Sequence, residues 1–136
     1  MKARVIVTTL IEKNGQILLG QKSKDIGPYP NTWHLPGGGA KLEIESLEDA
    51  VRREVKEETG LEIAKMERVS FDEDYEPDKK GEMTHYVFLV YKVTPKTMNA
   101  EAADDIVTLK WFKKSGLEDI LLTRPSIKFF KEIGWI

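Results

Sequence analysis

The stretch Gly39 to Leu61 reads GAKLEIESLEDAVRREVKEETGL, and it governs how the whole chain is read. Ser46 followed by Asp49 is a capping pair, a start signal for a helix. Gly60 is a stop signal, because glycine takes the left-handed turn that ends helices at little cost. Between them Leu47, Ala50, Val51 and Val55 recur at helical spacing and make an apolar stripe. At about 100° per residue, Glu54 and Glu58 fall inside that stripe and Glu57 at its edge. Glu48, Asp49, Arg52 and Lys56 fall on the solvent side.

Stability alone would not choose this arrangement. Burying an unpaired carboxylate costs several kcal/mol. The C-terminal half of a helix also disfavours negative charge, because the peptide dipoles leave it partly negative. A hard divalent cation would explain the pattern, since Mg²⁺, Mn²⁺ and Ca²⁺ take oxygen ligands. The plain alternative is a solvated acidic face paired with Arg52, Arg53 and Lys56. The angular position of Glu58 and the glycines upstream argue against it.

Read as a pattern, the stretch has Gly39, five residues, Glu45, seven residues, Arg53-Glu54-Val55, one residue, Glu57-Glu58, one residue, then Gly60-Leu61. This resembles the Nudix box, the signature of the Nudix hydrolases (MutT-like), with every spacing met. The lead-in Trp33-His34-Leu35-Pro36-Gly37-Gly38 is similar to the family's approach to its box. Two departures are visible. Ile44 stands where many members have glycine, and the Gly37-Gly38-Gly39 run is one residue longer than is common.

The resemblance implies an enzyme that hydrolyses the diphosphate linkage of a nucleoside diphosphate derivative. The main candidates are a nucleoside triphosphate, giving monophosphate and pyrophosphate, and an ADP-ribose-like compound. It also implies Mg²⁺, or Mn²⁺, held by Glu54, Glu57 and Glu58, with a carbonyl of Gly38 or Gly39 as a further ligand. Glu54 or Glu57 would serve as general base, and the choice stays open. Arg53 would orient a glutamate. Glu45 would join through a water or by orienting the loop, and Gly38, Gly39 and Lys22 would approach the phosphates. Lys22 has a solvated lysine as its alternative; His34 could contact substrate, with a structural or exposed histidine as its alternative, and Trp33 could stack a base, with core packing as its alternative. Glu73, Glu82, Glu101, Asp104 and Asp105 are acids that could add a base from a loop, and none stands out. A non-catalytic nucleotide-binding module of the same fold is the competing function. Such modules commonly lose box carboxylates, and here all are kept. Dimers are common in the family, so a homodimer is an expectation.

The rest of the chain fits one domain over 1–136. Apolar residues make up 40% and charged ones 32%, with net charge −2, so no affinity for nucleic acid polymers is expected. There is no cysteine, which excludes disulfides and thiolate metal sites and suits a cytoplasmic location. The apolar run Val5 to Ile11 is too short to span a membrane. Strands are expected over 3–12 and 16–23, joined by a turn at Asn14-Gly15. A loop follows over 25–31, then a short extended piece over 33–35 and a glycine loop. Further strands are expected over 62–75, bent near Ser70, and over 83–93 and 106–113. A short helix or turn lies over 116–122 and a last helix over 125–133, with Phe129 and Phe130 in the core. This mixture predicts an α/β (α+β) fold, a mixed β-sheet between helices, and the resemblance implies the Nudix α/β/α sandwich.

Overall fold

The computed structural model describes residues 1–22 and 31–136. The expected loop over 25–31 therefore lies outside the described residues, except for Asn31. Strand β1 (Lys2–Lys13) turns through Asn14 and Gly15 into β2 (Gln16–Lys22). Both turn residues have positive φ, 53° and 75°, and Lys13 faces Gln16 directly. That is the two-residue turn whose twist matches paired strands, and Asn-Gly tolerates it best.

Short strands β3 (Trp33–His34) and β4 (Gly37–Gly39) precede helix α1 (Leu47–Thr59). Strands β5 (Ile63–Pro77), β6 (Met83–Pro95) and β7 (Ile106–Lys113) follow, then helix α2 (Arg124–Glu132). The sheet runs β3-β2-β1-β6-β5, with β4 on β1 and β7 on β2. Strands β1 and β6 are parallel, from Lys2 opposite Thr84 to Ile11 opposite Val93, and the other pairs are antiparallel. The sheet is thus mixed, as expected. The bend in β5 is a register shift between Arg68 and Ser70. The segment after β7 forms a 3-10 turn over Lys114–Asp119.

Neighbouring strand residues point to opposite faces, and both faces are covered. Val7, Ile11, Leu18, Tyr91 and Val93 pack with Ala50, Val51 and Val55 of α1. Leu10, Ile17, Leu19, Val90 and Phe112 pack with Phe129 and Phe130 of α2. Two helices on opposite faces make the α/β/α sandwich and explain why the strands read as continuous apolar runs. Each buried aliphatic side chain contributes about 1.5–3 kcal/mol. Trp33 meets Phe112 edge-on at 4.8 Å and packs against the α2 core, so the core role is the one seen. Among the described residues no helix is long and apolar enough to cross a membrane.

Helix α1 begins and ends where its caps require. The Asp49 N–H donates to Ser46 Oγ at 3.1 Å. Gly60 has φ 72° and its N–H donates to the Lys56 carbonyl at 3.0 Å. Two expectations need correcting. The glycines form a strand, because Gly37, Gly38 and Gly39 pair with Thr8, Val7 and Ile6 of β1. Glycine is weak in strands, but tertiary pairing overrides propensity. Glu48 is only half-exposed, because its carboxylate accepts from Arg68 Nη2 at 3.1 Å and Tyr91 Oη at 3.2 Å.

Candidate active site

Helix α1 presents its apolar stripe to the sheet, and the two glutamates within that stripe go with it. Glu58 is 4% exposed and Glu54 is 8% exposed, whereas Glu57 is exposed. Both buried carboxylates abut strand β4. The Gly37 N–H donates to Glu58 Oε1 at 2.8 Å. A Cβ on Gly38 would lie 2.6 Å from the Glu54 carboxylate, and one on Gly37 would strike the Val7 carbonyl. Glycine at 37 and 38 is what lets strand and helix close around the acids.

Arg53 gathers the remaining acids. Its Nη2 and Nε reach the two oxygens of Glu45 at 2.6 and 2.9 Å. Nη1 reaches Glu54 Oε1 at 2.8 Å and Glu57 Oε2 at 3.3 Å. Nη2 also donates to the Gly39 carbonyl at 3.1 Å. The Lys41 N–H donates to Glu45 Oε1 at 2.8 Å. Both Glu45 oxygens are thereby engaged, and the loop between β4 and α1 is tied to the helix. The planar fork of arginine suits such multiple acceptance.

The electrostatics split the acids into two groups. The Arg53 hydrogen bond, then the Lys41 N–H, hold the Glu45 carboxyl down at about 2. Burial pushes Glu54 up, opposed by Arg53. Burial pushes Glu58 up to about 8; the Gly37 N–H opposes this, and the charge of Glu54 adds to it. The arginine pairs stabilise ionised forms, and desolvation disfavours them. Near neutral pH Glu58 therefore carries a proton.

The other expected residues fall as follows. Lys22 ends β2, exposed, and its charge draws down both Glu58 and His34, which places it on the side of the site. His34 is half-buried, with Nδ1 3.1 Å from the Leu35 carbonyl. Glu73 pairs with His85, Glu82 with Lys2, and Asp105 with Lys79. Asp104 is different: its charge raises both Glu54 and Glu58. The loop before it is docked on the end of α1, with the Glu101 N–H on the Thr59 carbonyl and the Ala103 N–H on the Glu58 carbonyl. Asp104 itself sits at φ 58°, a left-handed conformation that short polar residues tolerate. Its only sequence signal was a turn-forming residue in a polar loop.

Among the described residues, no three His, Cys, Asp or Glu side chains converge closely enough to hold a metal ion. Arg53 draws Glu54 and Glu57 toward itself. The donor set nonetheless fits a hard cation: oxygen donors only, two of them buried carboxylates beside a bare glycine strand.

Residues 1–133 match the family model described as the NUDIX domain. The chain belongs to the Nudix hydrolase family. It is an enzyme of that family, MutT-like in fold and sequence. It is 28% identical over 140 residues to nucleoside triphosphatase NudI of Enterobacter sp. (strain 638), covering 98% of this chain and 99% of that protein. It is 30% identical over 125 residues to nucleoside triphosphatase NudI of Klebsiella pneumoniae (strain 342), covering 88% of each. The crystal structure of a MutT NUDIX hydrolase from Burkholderia pseudomallei matches with TM-score 0.79 and 25% identity, covering 98% of this chain and 99% of that one. The NUDIX domain of Shewanella oneidensis NrtR, solved with ADP ribose, shares the fold at TM-score 0.78 and 18% identity, covering 98% of this chain and 87% of that one.

Proposed function

We propose that this Nudix hydrolase is a metal-dependent pyrophosphohydrolase of nucleoside triphosphates, releasing a nucleoside monophosphate and pyrophosphate. The observation that carries the proposal is the pair of buried glutamates, Glu54 and Glu58, held against the glycine strand. Relatives named nucleoside triphosphatase along nearly the whole chain support the substrate class.

Glu54 and Glu58 would hold Mg²⁺ or Mn²⁺, with Glu57 from the helix edge and a carbonyl of Gly38 or Gly39. That cation supplies positive charge against the diphosphate and makes water more acidic. Water attacks one phosphorus, the bridging P–O bond breaks, and the departing phosphate takes the bonding electrons. The water's proton passes to a carboxylate, for which Glu54, Glu57 and Asp104 are the candidates. Arg53 holds Glu54 and Glu57 in place through the bonds described above, and Glu45 braces Arg53. Lys22, at the end of β2, would meet a phosphate.

The test is a panel of nucleoside triphosphates and ADP-ribose incubated with purified protein and Mg²⁺, with monophosphate and pyrophosphate quantified. Triphosphates should be turned over, and EDTA should abolish the reaction until Mg²⁺ or Mn²⁺ is restored. Full turnover in EDTA would remove the metal from the proposal. Nucleotide binding without turnover would favour a sensor module instead.

A further inference from the structure

We propose that Arg4 is a substrate-binding residue of this site, gripping a phosphate of the substrate's polyphosphate chain from the α2 side of the glycine strand. The inference rests on the nucleotide-hydrolase reading above. Side chains alternate along a strand. A Cβ on Gly38 would point at the Glu54 carboxylate, and one on Gly39 would strike the Arg4 guanidinium. Strand β4 thus carries acids on one face and a guanidinium on the other, separated by backbone alone. A polyphosphate passing Gly38 and Gly39 toward the carboxylates would come within reach of Arg4.

The pairing of the arginines sets Arg4 apart. Arg52 pairs with Asp49, Arg53 with Glu45, Glu54 and Glu57, Arg68 with Glu48, and Arg124 with Asp74 and Glu76. Arg4 makes no ion pair among the described residues, and its register neighbour on β6 is Tyr86, not an acid. Its side chain is exposed, yet the guanidinium lies against the Gly39 backbone. Ordering a long side chain costs entropy, and among the described residues no acid offsets it. An arriving phosphate would, because its oxygens match the planar guanidinium fork in pairs. Gly39 contributes by lacking the Cβ that would push the guanidinium away.

The experiment compares wild type, Arg4→Gln and Arg4→Lys on the triphosphate best used in the panel, with kcat and KM determined separately. Inhibition by added pyrophosphate and melting temperature are measured alongside. Arg52→Gln, on the solvent face of α1, is the control. Arg4→Gln should raise KM and weaken pyrophosphate inhibition by about ten-fold or more, the scale of a charge-assisted bond to phosphate. Its kcat and melting temperature should stay close to wild type. Arg4→Lys should recover the loss only in part, because an ammonium cannot make the paired contact. If wild type turns over triphosphates and Arg4→Gln keeps its KM and its pyrophosphate inhibition, the assignment of Arg4 is wrong while the hydrolase reading stands. If wild type turns over no member of the panel, both fall. A kcat loss that tracks a lower melting temperature would make Arg4 structural and overturn the proposal.

Discussion

The acidic residues of β5 and those of α1 are handled in opposite ways. On the outer end of β5, Asp72, Asp74 and Glu76 face Arg124 and Lys128 of α2, with Lys128 2.9 Å from Asp72 and Arg124 bonded to both Asp74 and Glu76. These pairs are partly exposed, and each acid has a cation at hand. On α1, Glu54 and Glu58 are buried, and among the described residues only Glu54 touches a cation, one that Glu45 and Glu57 also use. Surface pairs contribute about 0–1 kcal/mol each and ask nothing further. The α1 cluster is left short of positive charge where desolvation is strongest. An unmet charge demand inside a fold marks a place built for a ligand rather than for stability.

The sharpest way to break this comparison is to remove Arg53. Arg53→Ala would leave Glu45 and Glu54 without their main partner and free the loop that Glu45 anchors. These ion pairs are partly buried, so removing one side costs less than the roughly 3–5 kcal/mol of a fully buried pair. We expect Arg53→Ala to be destabilised by more than the loss of a surface pair would cause, measured by denaturant unfolding without metal, and to lose at least about a hundred-fold in kcat/KM. Arg53→Lys should restore little of either, since one ammonium cannot span Glu45, Glu54 and the Gly39 carbonyl. A variant that unfolds like the parent would put the two clusters on the same footing.

How much of this was legible follows from how local each signal is. The caps at Ser46 and Gly60, the Asn14-Gly15 turn and the burial of Glu54 and Glu58 depend on neighbours within a few residues, so periodicity and turn chemistry reveal them. The reach of Arg53 was only partly visible. Its bonds to Glu54 and Glu57 are near in sequence, but those to Glu45 and the Gly39 carbonyl exist only once the loop before α1 folds back. The glycine strand depends on register with β1, and the half-burial of Glu48 depends on Arg68 and Tyr91 from other strands. Asp104 joins the site through a loop docked on the end of α1, and nothing in the residues around it announces that.

A smaller effect should sharpen the contrast through pH. The Glu58 carboxyl titrates at an ordinary 4.5 in the unfolded chain and at about 8 in the folded protein. Between those values the folded protein keeps a proton that the unfolded chain has released. Stability contributed by this group therefore falls as pH rises through that window. The metal-free parent should lose melting temperature from about pH 5 to about pH 8, and Glu58→Gln should flatten the slope. Glutamine mimics the neutral acid and can keep the Gly37 bond. At about pH 8 the variant should match or exceed the parent by on the order of 1 kcal/mol. Glu67→Gln, on the exposed surface of β5, serves as the control. The variant should also lose most of its turnover and much of the melting-temperature rise that Mg²⁺ gives the parent. An unchanged pH slope with normal turnover would make Glu58 a structural residue.

The smallest expected effect lies in the other cluster, and it matters because it should be small. Asp72→Asn removes the charge that Lys128 meets at 2.9 Å on a partly exposed surface. The amide can still accept a hydrogen bond from Lys128, and water can reach both groups. The loss should be about 0–1 kcal/mol in low salt and smaller still near 1 M salt, where the screening length is only about 3 Å. Turnover should be unaffected, because Asp72 faces α2 and has no bond to α1 or β4. Melting curves at two salt concentrations, with turnover measured in parallel, decide the point. If Asp72→Asn costs several kcal/mol or reduces turnover as Arg53→Ala does, the β5 acids are not simple surface pairs. The shortage of positive charge would then no longer be what distinguishes the α1 site.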